Sequence, residues 1–425
     1  MKAKPMQKTI QVCAHWHGME QPVLMGTLYA APSRGKEVFS FEYDPAWLKS
    51  PPAQTLDPNL ELYAGPQYPR DAHPNFGLFL DSSPDRWGRV LMQRREAQLA
   101  RQERRGPRTL MESDYLLGVF DGHRMGGLRF RLTPGGPFLD DNKDMASPPW
   151  TRLRDLEYAS LQIEREGAEE EKDYLRWLKL LIAPGGSLGG ARPKASVLDE
   201  KGHPWIAKFP SRGDEINMGG WEYLVYQLAA RAGVETALSK IQRFSRKNDT
   251  FLTKRFDRTE GGERIHFASA MTLLGKKDGD SGDTGVSYLD LADFLIRNGA
   301  QVAKDLEQLW RRIVFNICVS NVDDHLRNHG FILREKGWVL SPAFDMNPSA
   351  TGDGLLLNIS KHDNAQNLDL AMSVIPFFRI KKGQAERIIS EVVKCVRSWP
   401  KVAKKMDLPG REMELMRPAF RVAVG

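Results

Sequence analysis

Ser320-Asn321-Val322-Asp323-Asp324-His325-Leu326-Arg327-Asn328-His329 gathers acids, amides and imidazoles into one short segment. Asp323 precedes Asn328 by five positions, the spacing of a protein-kinase catalytic loop. In that arrangement the carboxylate accepts the proton of an attacking hydroxyl, and the amide oxygen reaches a Mg2+ ion. Asp345 follows seventeen residues after Asn328, in Phe344-Asp345-Met346 and after the apolar-rich stretch Trp338 to Ala343. An Asp emerging from a strand there offers the hard oxygens that Mg2+ takes. Any one of these residues alone could simply cap a turn. Three of them, at this spacing and in this chain order, point to phosphoryl transfer. A competing reading makes Asp323, His325 and His329 transition-metal ligands, because His-xxx-His presents both rings to one side of a helix. No HExxH accompanies it, and it leaves Asn328 and Asp345 without roles.

A second cluster runs from Pro184 to Lys194, with Gly185, Gly186, Gly189 and Gly190 around Ser187. Glycines allow close backbone approach to phosphate, with N–H groups turned inward as an anion nest. The order is not that of a Walker A loop, and a plain glycine turn would leave the same trace. Lys208 lies in the apolar strand Trp205-Ile206-Ala207-Lys208-Phe209, where it either snorkels from an edge or neutralises nucleotide phosphates. Glu222, on a helix beginning about a dozen residues later, is the carboxylate such a lysine needs for orientation. Leu252-Thr253-Lys254-Arg255-Phe256-Asp257-Arg258 ends the last strand before an α-rich region, the natural place for a hinge whose backbone reads adenine.

The elements that must position these groups follow from hydrophobic period and turn residues. Residues 9–48 read as strands, with two-residue alternation over Val38 to Tyr43. A helix is expected from about Pro84 to Glu103, with Asp85 at its start. Residues 113–132 read as a short helix, a turn and a strand. The Pro- and Gly-rich stretch 133–150 marks a boundary. Arg152–Leu181 reads as helical, its acidic run Glu164–Asp173 being a solvated face. Strands then alternate with the helix WEYLVYQLAARAG, and from Tyr288 onward the pattern is helical except at Gly330–Pro342. An apolar-periodic helix through Leu309, Trp310, Ile313, Val314 and Ile317 leads into the Asp323 segment and would hold it rigidly.

The chain has 425 residues, 61 Lys+Arg, 54 Asp+Glu and three cysteines. This balance fits two or three folded units and excludes fibrous and disulfide-scaffold classes. No signal-peptide h-region and no transmembrane run is evident, so a soluble cytoplasmic protein with no membrane partner is expected. The net charge of +7 is concentrated: Arg86–Arg108 carries +6 and Arg379–Lys405 carries +7. Each stretch is either a solvated helix face or a docking surface for nucleic acid or an acidic partner.

These motifs together resemble the HipA-type serine/threonine kinases, toxin components of bacterial type II toxin–antitoxin systems. VLMGTLYAAPSRGKEVFSFEYDPAWL and LFLDSSPDRWGRVLMQRR are similar to that family's N-terminal subdomain, and SLGGARPKA to its phosphate loop. LTKRFDR is similar to its hinge, NVDDHLRN to its catalytic loop and FDM to its metal-binding motif, so the resemblance spans nearly the whole chain. It implies an α+β, two-lobed, protein-kinase-like fold. Residues 1–135 would form the N-terminal subdomain, 150–258 the nucleotide-binding N-lobe and 259–425 the helical C-lobe. It further implies Asp323 as catalytic base, His325 as support for the loop, and Asn328 and Asp345 as Mg2+ ligands. Lys208, Gly189 and Gly190 would meet ATP phosphates, with Glu222 pairing the lysine. Lys254, Phe256 and Asp257 would line the adenine site, and Ser187 would be the autophosphorylated serine. The partners implied are a helix-turn-helix antitoxin, DNA through that antitoxin, and a protein substrate such as an aminoacyl-tRNA synthetase. A catalytically silent scaffold that co-represses DNA with the antitoxin is the alternative. Two positions depart from the family pattern: GGARPK stands where Gln-Glu-Lys is usual, and Asp324 where a smaller or basic residue is usual.

Overall fold

Alternation of buried and exposed side chains builds the first sheet of the computed structural model, which describes residues 7–70, 73–140, 148–182, 190, 192–245 and 247–424. Strands β1 (Lys8–Ala14), β2 (Val23–Ser33), β3 (Lys36–Tyr43) and β4 (Leu128–Arg131) form an antiparallel sheet in the order β3-β2-β1-β4. The β2–β3 turn is closed by Arg34 and Gly35, both at positive φ, the backbone twist that tight hairpins require. On β3, Phe39, Phe41 and Tyr43 face inward while Val38 and Glu42 face outward, as the alternation predicts. Phe41 packs on Phe79 at 5.5 Å and Phe79 on Phe130 at 6.0 Å. Burying each such ring is worth about 2 kcal/mol.

The expected helix at 84–103 is α1 (Arg86–Gln102), and Asp85 caps it by accepting the Gly88 N–H at 2.8 Å. The single helical run expected at 152–181 is instead two helices, α2 (Leu153–Ile163) and α3 (Tyr174–Ile182). The acidic run is their connection, turned by Gly167 at φ +72°. Its Glu164 is not merely solvated, for it accepts from the Ser211 hydroxyl and the Arg212 N–H. Strands β5 (Lys194–Leu198) and β6 (Pro204–Lys208) pair as a hairpin. All of this lies in one compact unit, residues 1–212 with 257–268.

The second unit comprises residues 213–256 and 269–425. Helix α4 (Met218–Arg231) lies close against the hairpin of β7 (Ser239–Arg243) and β8 (Asp249–Lys254). A Cβ on Gly219 would fall 2.1 Å from the Asp249 carbonyl, so only glycine permits that approach. Helices α5 (Tyr288–Asn298) and α6 (Val302–Val319) precede the hairpin of β9 (Gly330–Arg334) and β10 (Gly337–Leu340). Helices α7 (Lys382–Arg397) and α8 (Trp399–Lys405) carry the second basic stretch. No described helix is long and apolar enough to cross a membrane.

Candidate active site

Helix α6 fixes the Asp323 segment. Every residue from Leu309 to Val319 is buried, so its last three turns are gripped on all sides and cannot slide without losing core contacts. The helix stops at Ser320, which turns into the left-handed region at φ +49°. The Ser320 hydroxyl donates to Gln366 Oε1 at 2.9 Å, and Arg421 donates to the same oxygen at 2.7 Å and to the Gly352 carbonyl at 2.9 Å.

Beyond that cap the loop folds around the main chain of Asp323. Its carbonyl accepts from the His325 N–H at 2.9 Å and from Asn328 Nδ2 at 3.0 Å, while the Asp323 residue itself is exposed. Asn328 is buried, and its Oδ1 accepts no hydrogen bond among the described residues. With its amide nitrogen committed, this amide leaves one acceptor to spare, as a cation ligand should. Asp345 sits just after β10 in left-handed backbone, φ +57°. Asn347 Nδ2 donates to Asp345 Oδ1 at 3.1 Å, and the Asn347 N–H donates to Asn321 Oδ1 at 3.2 Å. The Asp345 segment is thereby tied to the Asp323 loop. Glu222 on α4 lines one narrow crevice with Thr253, Phe344 and Asp345, and Phe256 packs on Phe344 at 5.4 Å.

Asp324, the departure from the family pattern, is the buried anchor of the loop. Its Oδ2 accepts from the Tyr288 hydroxyl (2.5 Å), Asn316 Nδ2 (2.7 Å) and His329 Nε2 (2.8 Å). Burial pushes this carboxyl up, but the His329 charge and the hydrogen bonds from His329 and Tyr288 outweigh it and hold the carboxyl below its usual range. Burial, then the Asp324 charge, drives the Tyr288 phenol well above its ordinary value. His329 therefore serves Asp324. Among the described residues no three His, Cys, Asp or Glu side chains converge as metal ligands, so the Asp323/His325/His329 reading loses its geometry. His325 supports the loop by its backbone, accepting the Asn328 N–H at 2.8 Å, while its ring Nδ1 is buried without a partner.

The remaining expected residues are placed differently. Ser187 and Gly189 lie outside the described residues; Gly190 is exposed, at φ +85°. Lys208 on β6 stands directly opposite Lys194 on β5, so the two side chains share one face of the hairpin. Lys194 is buried and pairs with Asp85 at 2.9 Å, which offsets the like-charge neighbour. The Lys254 N–H is taken by the Leu238 carbonyl at 2.7 Å. Asp257 is fully buried, its carboxylate accepting from the Gly126 N–H (2.9 Å) and Arg258 (2.6 Å), a tie within the first unit. Spacing assigns no role to Asn321 within its cluster, nor to Tyr288, Asn316 and Asn347. A lone amide amid the apolar run of α6 was the available signal for Asn316.

A model of the HipA-like C-terminal domain matches residues 186–399, half of the chain and all of the loop just described. The chain belongs to the HipA-like family. Among its relatives, "Putative kinase Y4mE" of Sinorhizobium fredii is 27% identical over 150 residues, which is 34% of either chain. A "Putative kinase" of Haemophilus influenzae is 25% identical over 179 residues, 38% of this chain and 52% of that one. The matches thus span about a third to a half of those relatives' lengths. Of solved structures, the Shewanella oneidensis MR-1 HipA in the complex of HipA, HipB and operator DNA superposes with a TM-score of 0.65. It covers 98% of this chain and 96% of that chain at 17% identity, which establishes the mixed α+β, kinase-like HipA fold.

Proposed function

We propose that this HipA-like chain is an ATP-dependent protein serine/threonine kinase, acting as the toxin of a type II toxin–antitoxin system. One observation carries the reading. Asn328 is pinned to Asp323 by its nitrogen with its oxygen left over, and Asp345 is tied to the same loop. Asn328 Oδ1 and the Asp345 carboxylate fit Mg2+, a hard cation that takes amide and carboxylate oxygens. When bound with ATP, that ion would neutralise charge on the phosphates. Asp323, exposed on a rigid loop, orients the substrate hydroxyl and accepts its proton as the oxygen–γ-phosphorus bond forms and the bond to ADP breaks. Lys208 would offer positive charge to the phosphates, and Glu222 would be the carboxylate such a lysine needs; Glu222 lines one crevice with Asp345. The alternative of a silent scaffold finds little support, since a scaffold has no use for an orphaned Asn328 oxygen.

The finer reading is that Ser187 is autophosphorylated and that the cellular target is a translation protein such as an aminoacyl-tRNA synthetase, phosphorylated in the cytoplasm. A helix-turn-helix antitoxin would neutralise the toxin and carry it to DNA, as the Shewanella complex of HipA, HipB and operator DNA suggests by likeness. Phosphopeptide mapping after a pulse of expression tests this. Phosphate on Ser187 that disappears in Asp323→Ala supports it; an unmodified wild-type chain in cells with normal translation contradicts it.

A further inference from the structure

A line of amides joins the two carboxylate-bearing segments of the site. Asn316 on α6 donates to Asp324 and accepts from Asn321 Nδ2 at 3.1 Å through its Oδ1. The Asn316 carbonyl also takes the Asn321 N–H at 3.0 Å. Asn321 Oδ1 then holds the Asn347 N–H, and Asn347 Nδ2 holds Asp345. Asn316 and Asn321 are 2% and 1% exposed, so water cannot substitute for the bonds between these two residues. We propose that Asn316, Asn321 and Asn347 form a positioning relay that sets the Asp345 carboxylate against the loop carrying Asp323 and Asn328. The inference rests on the kinase reading, because it presumes that Asp345 and Asn328 share one cation.

A side-chain amide is neutral and both donates and accepts, in directions fixed by its plane. Asn316 and Asn321 use both ends of their amides, and Asn347 joins through its backbone N–H and donates onward from Nδ2, so position passes from helix α6 to Asp345, which follows β10 in left-handed backbone. In a dry interior such bonds reinforce one another, so the relay is stiffer than its members taken singly. Outer-shell partners of a ligating carboxylate commonly govern metal affinity by 10- to 100-fold.

The test measures Mn2+ binding to the full chain by electron paramagnetic resonance, with and without a non-hydrolysable ATP analogue. Asn347→Ala and Asn321→Ala are each expected to weaken Mn2+ binding in the nucleotide complex by about tenfold or more. Metal-free nucleotide affinity should stay unchanged. The double variant should be no weaker than the worse single one, since one relay can be cut only once. Because Asn347 is half-exposed, its variant decides the matter if Asn321→Ala does not fold. A folded Asn347→Ala with wild-type Mn2+ affinity, or additive effects, overturns the relay while leaving the kinase reading intact. A wild-type chain that binds no Mn2+ with nucleotide overturns both.

Discussion

Replacing Asp324 by alanine strips a shared acceptor from three buried donors, and the consequence can be worked from the structure. The Tyr288 hydroxyl, Asn316 Nδ2 and His329 Nε2 all converge on one oxygen of a carboxylate that is 3% exposed. Each orphaned donor costs about 1–3 kcal/mol, offset in part by no longer burying the carboxylate. The net loss should be about 3–5 kcal/mol, a large share of the roughly 5–15 kcal/mol that holds a domain folded. Urea unfolding followed by fluorescence suits the measurement, because Trp310 lies within the same helix α6. The sharper test is the second substitution. Tyr288→Phe alone should cost about 1–2 kcal/mol, but in the Asp324→Ala background it removes an orphaned hydroxyl and should restore about 1 kcal/mol. The carboxyl is held below its usual range, so its contribution is present above the unfolded value near pH 4 and lost as pH falls through the folded one. Asp324→Ala should lack that acid-dependent part. An Asp324→Ala within about 0.5 kcal/mol of wild type, or a Tyr288→Phe cost that simply adds, would refute the reasoning.

Asp305, in the first turn of α6, accepts the Leu340 N–H at 3.2 Å, and burial pushes its carboxyl up to about 6. Its stabilising effect is therefore present below about pH 4 and lost as pH rises through 6, so Asp305→Asn should raise neutral-pH stability by about 1–3 kcal/mol. Melting temperature against pH reads this as a flatter profile from 4 to 7. Arg124 is fully buried and donates to the carbonyls of Ser82, Leu116, Val119 and Leu139 at 2.8–3.0 Å. Arg124→Leu should cost more than about 4 kcal/mol, seen as loss of soluble protein or rapid proteolysis of the first unit. Arg421→Ala releases Gln366 and Gly352 beside Ser320, and should lower stability by about 1 kcal/mol by urea unfolding.

Local signals in the sequence were sufficient for the first sheet, the α1 cap at Asp85 and the Asp323–Asn328 spacing, because each is decided within a few residues. What was illegible depends on distance along the chain. Asp257 looked like part of a hinge, but Gly126 N–H, 131 positions away, engages its carboxylate. The charge of Arg86–Arg108 tells the same lesson. Arg89 forks onto Glu112 at 2.6 and 2.8 Å, and Arg105 pairs with Glu96 and Glu103. The Arg105 hydrogen bond, then that of the Arg108 N–H, hold Glu96 down to about 2. Part of that basic surplus is spent inside the unit, on an acid just beyond the stretch. Lys394, Lys401, Lys404 and Lys405 on α7 and α8 are exposed and make no ion pair among the described residues, so the second stretch keeps its charge for solvent or a partner.

Asp323 and Asp345 are proposed to serve phosphoryl transfer. The most direct test is transfer of label from γ-phosphate-labelled ATP by the purified full chain with Mg2+, comparing wild type, Asp323→Ala and Asp345→Asn. Labelled protein should come from wild type alone, with Asp323→Ala still binding Mg-ATP and Asp345→Asn binding ATP with no gain from added Mg2+. Equal labelling by Asp323→Ala and wild type, or none from a wild-type chain that binds Mg-ATP, would contradict this role.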